Sequence, residues 1–290
     1  MKQKIINVDL KVNLDPLISF TLDIFQKKEI RSLTDETASV AGWLWERRWS
    51  ERNAGNISVN VTSCFTEKEL DRFSTYPFLP LNKEYPGLTR QVLMVTAAGS
   101  RMRDIAKDPL EGICLVFLGE TASAFHVIVP ERSGRNQMPT SELPAHLAVH
   151  EMLCEKKAPE KVLMHSHVTE LIALTHDPRF QSASSITELL WRMHPEALML
   201  QPKGYGFIPF TLPGTEKIAA LSAKAFTHNN VVIWEKHGAM AIGKTPCDAF
   251  DELDLTAKAA AIYLSSARSG IEPQGLSWEQ IESIKKHYGF

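Results

Sequence analysis

Val162-Leu163-Met164-His165-Ser166-His167 joins a short apolar run to two histidines one residue apart. The apolar run reads as a buried strand, and residues two apart on a strand share a face. Both imidazoles are therefore expected to point to one side while Ser166 turns to the other. That spacing suits chelation of one ion, although by itself it is equally met by a hydrogen-bonded histidine pair at a sheet edge.

A second apolar strand, Val231-Val232-Ile233-Trp234, leads through Glu235-Lys236 to His237 and Gly238, where a missing side chain permits close backbone approach to an ion or ligand. Three neutral imidazoles from two strand ends leave a coordination position open, as catalytic rather than structural zinc requires. The ion would keep its full charge for stabilising oxyanions.

Upstream, Pro139-Thr140-Ser141-Glu142-Leu143-Pro144-Ala145-His146 enters a helix expected over 141–156. The Thr140 and Ser141 hydroxyls, with the unpaired N–H groups of the first helical turn, make a candidate anion site. Glu142, in that first turn, would project into the same space; taken alone it is ordinary N-terminal helix charge. His146 and His150 recur at four-residue steps from Glu142 and read as core or supporting residues rather than ligands.

Outward from these segments, strand-like and helix-like runs alternate without a long linker or internal repeat, which predicts one α/β domain. Helices are expected over 16–28, from Thr34 as N-cap to Trp49, over 187–193, from Thr215 onward, over about 248–265, and from the capping box Ser277-Trp278-Glu279-Gln280. Strands are expected at 57–61, whose alternation reads as half-buried, at 91–96, at the pair 113–118 and 124–129, and at 197–200.

Composition narrows the function classes. The 290 residues leave ample chain for a core. Thirty-two Lys and Arg against 34 Asp and Glu leave a formal charge of -2, without the positive excess of a nucleic-acid or anionic-membrane binder. A bound phosphate must then be met by local groups. Cys64, Cys114, Cys154 and Cys247 form no Cys-x-x-Cys pair, so neither a cysteine zinc site nor a disulfide framework is expected, and a reducing cytoplasm fits. The N-terminus alternates charged and apolar residues too quickly for a secretory signal. No stretch has the roughly 18 apolar residues that cross a bilayer, so a soluble, unexported protein is expected.

Together and in order, these motifs resemble the class II aldolase/adducin family. The resemblance is carried by Glu51-Arg52-Asn53-Ala54-Gly55-Asn56, Pro139 to His146, Val162 to His167, Leu171-Ile172-Ala173-Leu174-Thr175, Pro213-Gly214-Thr215 and His237-Gly238. It runs from about Ser32 to the C-terminus, leaving 1–31 as an N-terminal helical extension to a catalytic domain over 32–290. It implies a single α/β domain with a central, mainly antiparallel or mixed β-sheet flanked by helices.

The resemblance makes His165, His167 and His237 the ligands of one Zn2+ per subunit and Glu142 the catalytic base. Glu196, in His194-Pro195-Glu196-Ala197, falls where a second acidic residue serves a neighbouring subunit's site; otherwise it is a solvated surface glutamate. Asn53, Gly55, Asn56, Gly99, Thr140 and Ser141 fall where substrate phosphate and hydroxyl groups are held. The implied reaction is reversible cleavage of L-rhamnulose 1-phosphate to dihydroxyacetone phosphate and L-lactaldehyde through a metal-stabilised enediolate. The implied assembly is a homotetramer with active sites at subunit interfaces. A related sugar-phosphate aldolase or pentulose-phosphate 4-epimerase would use the same scaffold. A non-catalytic adducin-like module would be marked by loss of the ligands, which are present here.

Two positions depart from the family's pattern. Ala54 stands where a glycine is usual, a modest change if it avoids positive φ. In Ala97-Ala98-Gly99-Ser100, Ala98 stands where a serine helps hold phosphate, leaving Ser100, Arg101 or backbone N–H groups to replace it.

Overall fold

Nine strands form one sheet in a computed structural model that describes residues 24–75, 78–130 and 137–290. They are β1 (Asn56–Asn60), β2 (Leu79–Pro80), β3 (Val92–Thr96), β4 (Ile113–Leu118), β5 (Ala124–Ile128), β6 (Val162–Ser166), β7 (Tyr205–Ile208), β8 (Val231–Trp234) and β9 (Gly238–Gly243). Their order across the sheet is β2-β5-β4-β3-β1-β6-β9-β8-β7. Neighbours are antiparallel except β7 and β8, which are parallel. A parallel pair needs a crossover, and the Glu216–Phe226 helix supplies it. The expected mixed, mainly antiparallel sheet is the one observed.

Alternation along each strand divides the core in two. Val162 and Met164 of β6, Ile57 and Val59 of β1, and Ala239 and Ala241 of β9 pack on one face with Val40, Leu44, Leu253 and Ala257 from the Lys28–Glu46 and Pro246–Arg268 helices. Leu163, Met240, Val232 and Trp234 pack on the other with Leu147, Val149, Ile218 and Phe226 from the Leu143–Glu155 and Glu216–Phe226 helices. Covering both faces makes the central strands apolar throughout, and each fully buried aliphatic side chain contributes about 1.5–3 kcal/mol over exposure.

Several expected elements differ. β1 is buried on both faces rather than half-buried: Ser58 is 0% exposed and Asn56 6%. Its polar side chains meet other protein groups instead of water. Thr34 is not an N-cap; the helix begins at Lys28, and the Thr34 hydroxyl donates to the Ile30 carbonyl one turn back. Residues 197–200 are not a strand. Pro195, whose fixed φ suits the first helical turn, opens a helix over Pro195–Leu200. The helix expected from Ser141 begins at Leu143, which puts Glu142 at the N-cap position rather than in the first turn. Most of the helix expected over 16–28 lies outside the described residues, although Ile24 and Phe25 are buried in the core.

Antiparallel pairing gathers strand ends of opposite sense at one edge. Asn56 opens β1 opposite His165 near the end of β6, and His165 in turn faces Met240 near the start of β9. Beyond β3, Ala97 bridges to Pro139, which brings the Thr140-Ser141-Glu142 segment to the same edge. Among the described residues, no helix is long and apolar enough to cross a membrane.

Candidate metal and catalytic site

His165, His167 and His237 converge. Their ring centroids are 5.4 Å (His165 to His167), 5.0 Å (His165 to His237) and 5.0 Å (His167 to His237) apart, and one nitrogen from each lies within 4.8 Å of the others. His165 and His167 come from β6 and the residue just past it, on one face as their spacing requires, while the Ser166 hydroxyl donates to the Trp49 carbonyl on the other. His237 sits in the turn between β8 and β9, where Lys236 takes φ 58° and its N–H donates to Thr175 Oγ1 at 2.8 Å. Gly238 is also required by packing. A Cβ there would collide with the Ser166 carbonyl oxygen and lie 3.1 Å from His165 Cε1, so glycine is what lets β9 start against the end of β6.

The ring protons follow from the acceptors. Ala239 O lies 3.0 Å from His165 Nδ1; a carbonyl only accepts, so Nδ1 carries the proton and Nε2 presents a lone pair. Glu51 Oε1 lies 2.6 Å from His167 Nδ1, which leaves the His167 Nε2 lone pair free in the same way. His165 Nε2 and His237 Nδ1 are buried without a hydrogen-bond partner. An orphaned buried polar atom costs about 1–3 kcal/mol, and a cation beside the His165 Nε2 lone pair would remove that cost. Burial lowers the pKa of His165, and that of His237 to about 4, so both rings are neutral and ready to ligate. Three imidazoles with an open position fit a catalytic divalent ion.

Glu142 completes the group. Thr140 N donates to Thr96 O, and Thr140 Oγ1 accepts from Glu142 N, so the segment is tied to the end of β3 and the carboxylate faces the rings. Its Oε2 lies 3.6 Å from His165 Nε2 and its Oε1 3.9 Å from His237 Nε2. Asn56 Nδ2 donates to Oε2 at 2.8 Å. Burial works to raise the Glu142 pKa, but the His165 ring and the Asn56 amide outweigh it and hold the carboxyl below its ordinary range. The group is a carboxylate, suited to act as a base.

The expected substrate-binding residues surround this centre unevenly. Asn56 and Thr140 are buried beside it, whereas Asn53 and Ser141 are exposed. Gly55 takes φ +81°, and a Cβ there would sit 2.9 Å from Ser50 Oγ. The positive-φ residues of that loop are Arg52 and Gly55, so Ala54 incurs no strain. Ala98 and Gly99 are exposed in a turn where Ala98 N donates to Met138 O and Ser100 N to Ala97 O. Glu196 stands apart: it is exposed, and its carboxylate pairs with His194 Nδ1 at 2.8 Å.

Sequence reasoning missed three contributors. Glu51, which holds His167, looks like any loop glutamate. Trp234 packs beside His165 and His237, its ring tilted 33° to each with centroids 4.8 and 5.2 Å away. Ser58 meets both His146 and His150; its signal was a polar residue two positions from Asn56 on a strand flanked by apolar ones. Chemistry rather than volume marks the site, since a cavity of about 840 Å³ lies elsewhere, lined by Arg47, Asp251 and Lys258.

Comparison with known proteins agrees with this geometry. The sequence profile described as "Class II Aldolase and Adducin N-terminal domain" matches residues 35–264. The chain is 37% identical to a rhamnulose-1-phosphate aldolase of Bacteroides thetaiotaomicron, over 86% of this chain and 91% of that protein. It is 30% identical to the rhamnulose-1-phosphate aldolase of Escherichia coli K12, over 84% and 89%. Among solved structures, a sugar-phosphate aldolase from Thermotoga maritima superposes with a TM-score of 0.73 at 30% identity, covering 85% of this chain and all of that one.

Proposed function

The chain belongs to the class II aldolase and adducin family, and from that premise we propose that it is a zinc enzyme cleaving L-rhamnulose 1-phosphate reversibly to dihydroxyacetone phosphate and L-lactaldehyde. It is a class II aldolase, a carbon–carbon lyase of a metal-dependent family. The observation that carries the reading is the convergence of three histidine nitrogens with a carboxylate beside them. The names of the relatives supply the sugar.

Aldol cleavage leaves an electron pair on the carbon next to a carbonyl. A zinc ion held by His165, His167 and His237 would supply Lewis-acid stabilisation of that charge as it delocalises onto oxygen. Glu142 handles the proton on carbon. In cleavage Glu142, protonated from solvent, delivers that proton to the hydroxymethyl carbon of dihydroxyacetone phosphate while Glu196 takes up the hydroxyl proton released at the aldehyde end; in the synthetic direction the Glu142 carboxylate removes the carbon proton and Glu196 returns the other. The Asn56 hydrogen bond keeps the carboxylate oriented while the proton moves. No Schiff-base lysine is needed.

Asn53, Gly55, Asn56, Gly99, Thr140 and Ser141 hold the phosphate and hydroxyl groups. With no hydroxyl at Ala98, and with the Ala98 and Ser100 N–H groups bonded to Met138 O and Ala97 O, the Ser100 hydroxyl or Arg101 takes that part. Glu196 acts at the aldehyde end of a neighbouring subunit's site in a homotetramer, and its exposure is consistent with that use. Free cysteines at 64, 114, 154 and 247 support a reducing cytoplasmic location.

A substrate panel tests the proposal. Release of dihydroxyacetone phosphate from L-rhamnulose 1-phosphate is expected; turnover of ribulose phosphate in its place would overturn the substrate assignment and favour an epimerase. Activity undiminished in a dilute, confirmed monomer would remove Glu196 from its intersubunit role.

A further inference from the structure

Behind Glu142 runs a buried ladder of polar groups that the reaction does not use directly. Asn56 and Ser58 are two apart on β1, so both point to the face covered by the Leu143–Glu155 helix, where His146 and His150 are four apart. Two strand residues advance about 6.6 Å and four helical ones about 6.0 Å, so the rungs match. Ser58 Oγ lies 2.5 Å from His146 Nδ1 and 2.7 Å from His150 Nε2, and His146 Nε2 lies 2.5 Å from Asn56 Oδ1. Ser58 and His146 are 0% exposed and His150 1%.

The chemistry of each group leaves one consistent arrangement. The Glu142 carboxylate only accepts, so the Asn56 amide N–H donates to it and the Asn56 carbonyl faces His146. That carbonyl only accepts, so His146 carries its proton on Nε2 and presents Nδ1 as a lone pair. The single Ser58 proton must then go to His146 Nδ1, and Ser58 Oγ accepts from His150 Nε2–H. Burial pushes His146 to about 4 and His150 to about 3, which keeps both rings neutral at physiological pH.

We propose that His150, Ser58 and His146 are positioning residues, a one-way chain of donors that locks the Asn56 amide in a single orientation and thereby aims the Glu142 carboxylate. Every donor points toward Glu142. Turned over, the Asn56 amide would set its oxygen against the carboxylate and its N–H against the His146 N–H, so the ladder selects between two faces of similar shape. The chain orients and does not conduct, because an amide passes no proton onward. It places three polar side chains in a layer otherwise packed with Leu163, Leu147 and Val149, where an unsatisfied partner is costly.

The inference rests on Glu142 as the proton-transfer group, and the test separates the two ideas. In 15N spectra of histidine-labelled wild-type protein, both His146 and His150 are expected neutral with the proton on Nε2. A proton on Nδ1 of either ring overturns the ladder whatever Glu142 does. In the zinc-loaded enzyme, Ser58→Ala and His150→Leu are expected to slow deuterium exchange at dihydroxyacetone phosphate about tenfold, with bound zinc and ligand affinity within about twofold of wild type. His150→Gln, whose amide N–H can stand in for Nε2–H, is expected to restore most of that rate. Wild-type exchange in His150→Leu would overturn the positioning role, and if that variant does not fold, the tautomers of the unaltered chain decide between ladder and no ladder. Should the tautomers be as expected while Glu142→Ala still exchanges, the ladder stands and the assignment of Glu142 falls.

Discussion

Glu142 Oε2 lies 3.6 Å from His165 Nε2, with no bond needed between them, because His165 is tethered through its other nitrogen and Glu142 through Asn56. The proposed ligand and the proposed base therefore approach the same point while each is held from behind. Their functions should separate on mutation.

His165→Ala is expected to lose bound metal and aldol cleavage together, whereas Glu142→Ala is expected to retain metal and lose carbon-proton exchange by at least about 100-fold. Elemental analysis beside an exchange assay checks both. Loss of metal in Glu142→Ala would make that carboxylate a ligand before anything else.

Glu51 is the sole described partner of His167 Nδ1, at 2.6 Å. Such outer partners fix the ring and its tautomer, and removing one typically costs about 10–100-fold in metal affinity. Glu51→Ala should weaken zinc by that order in a competition titration with a chelator, and Glu51→Gln, which can still accept the N–H, should weaken it less. Equal affinities in all three proteins would mean that His167 is held by packing alone.

At Gly238 a methyl group would meet the Ser166 backbone carbonyl, which cannot move aside as a side-chain tip can. Gly238→Ala should therefore destabilise the protein by about 1–3 kcal/mol in urea unfolding. Because the same methyl presses on His165 Cε1, zinc affinity should fall too. A fully stable Gly238→Ala protein would show that β9 shifts freely against β6.

Acid stability follows from His146 and His150. Both ordinarily titrate near 6.5 and are pushed by burial to about 4 and about 3 in the folded chain. Between those values and 6.5 the unfolded chain binds protons that the folded one excludes. Stability is therefore full above about pH 6.5, declines as pH falls toward 4, and stops declining for this reason below about 3. At about 1.4 kcal/mol per pKa unit, the two rings together amount to several kcal/mol. Urea midpoints of metal-free protein should fall over this range, and a His146→Gln, His150→Gln variant should fall less steeply.

Some of this was legible before any fold was known, because it depends on local period. Two residues apart on a strand is enough to put His165 and His167 on one side and Ser166 on the other, and the β-branched and aromatic residues of the apolar runs at 113–118 and 231–234 favour strands. The motif carrying Glu142 was readable too, but its exact place was not: helix pattern put it in the first turn, whereas it stands at the N-cap with its N–H donating to Thr140 Oγ1. Residues 197–200 show the limit, since four apolar residues fit strand or helix alike until Pro195 and the neighbouring helices decide.

By itself, then, the chain's residue pattern determined the α/β class, the pairing of histidines on one strand face and the segments that bear the site. Only the tertiary structure decided which groups stand opposite one another: Asn56 beside Glu142, Ala239 behind His165, Glu51 behind His167, and Ser58 between two histidines. These partners are set by β1, β6 and β9 lying side by side, although they are remote in the chain. Adjacency in a sheet is a long-range choice made by burying both faces at once, and no local period encodes it.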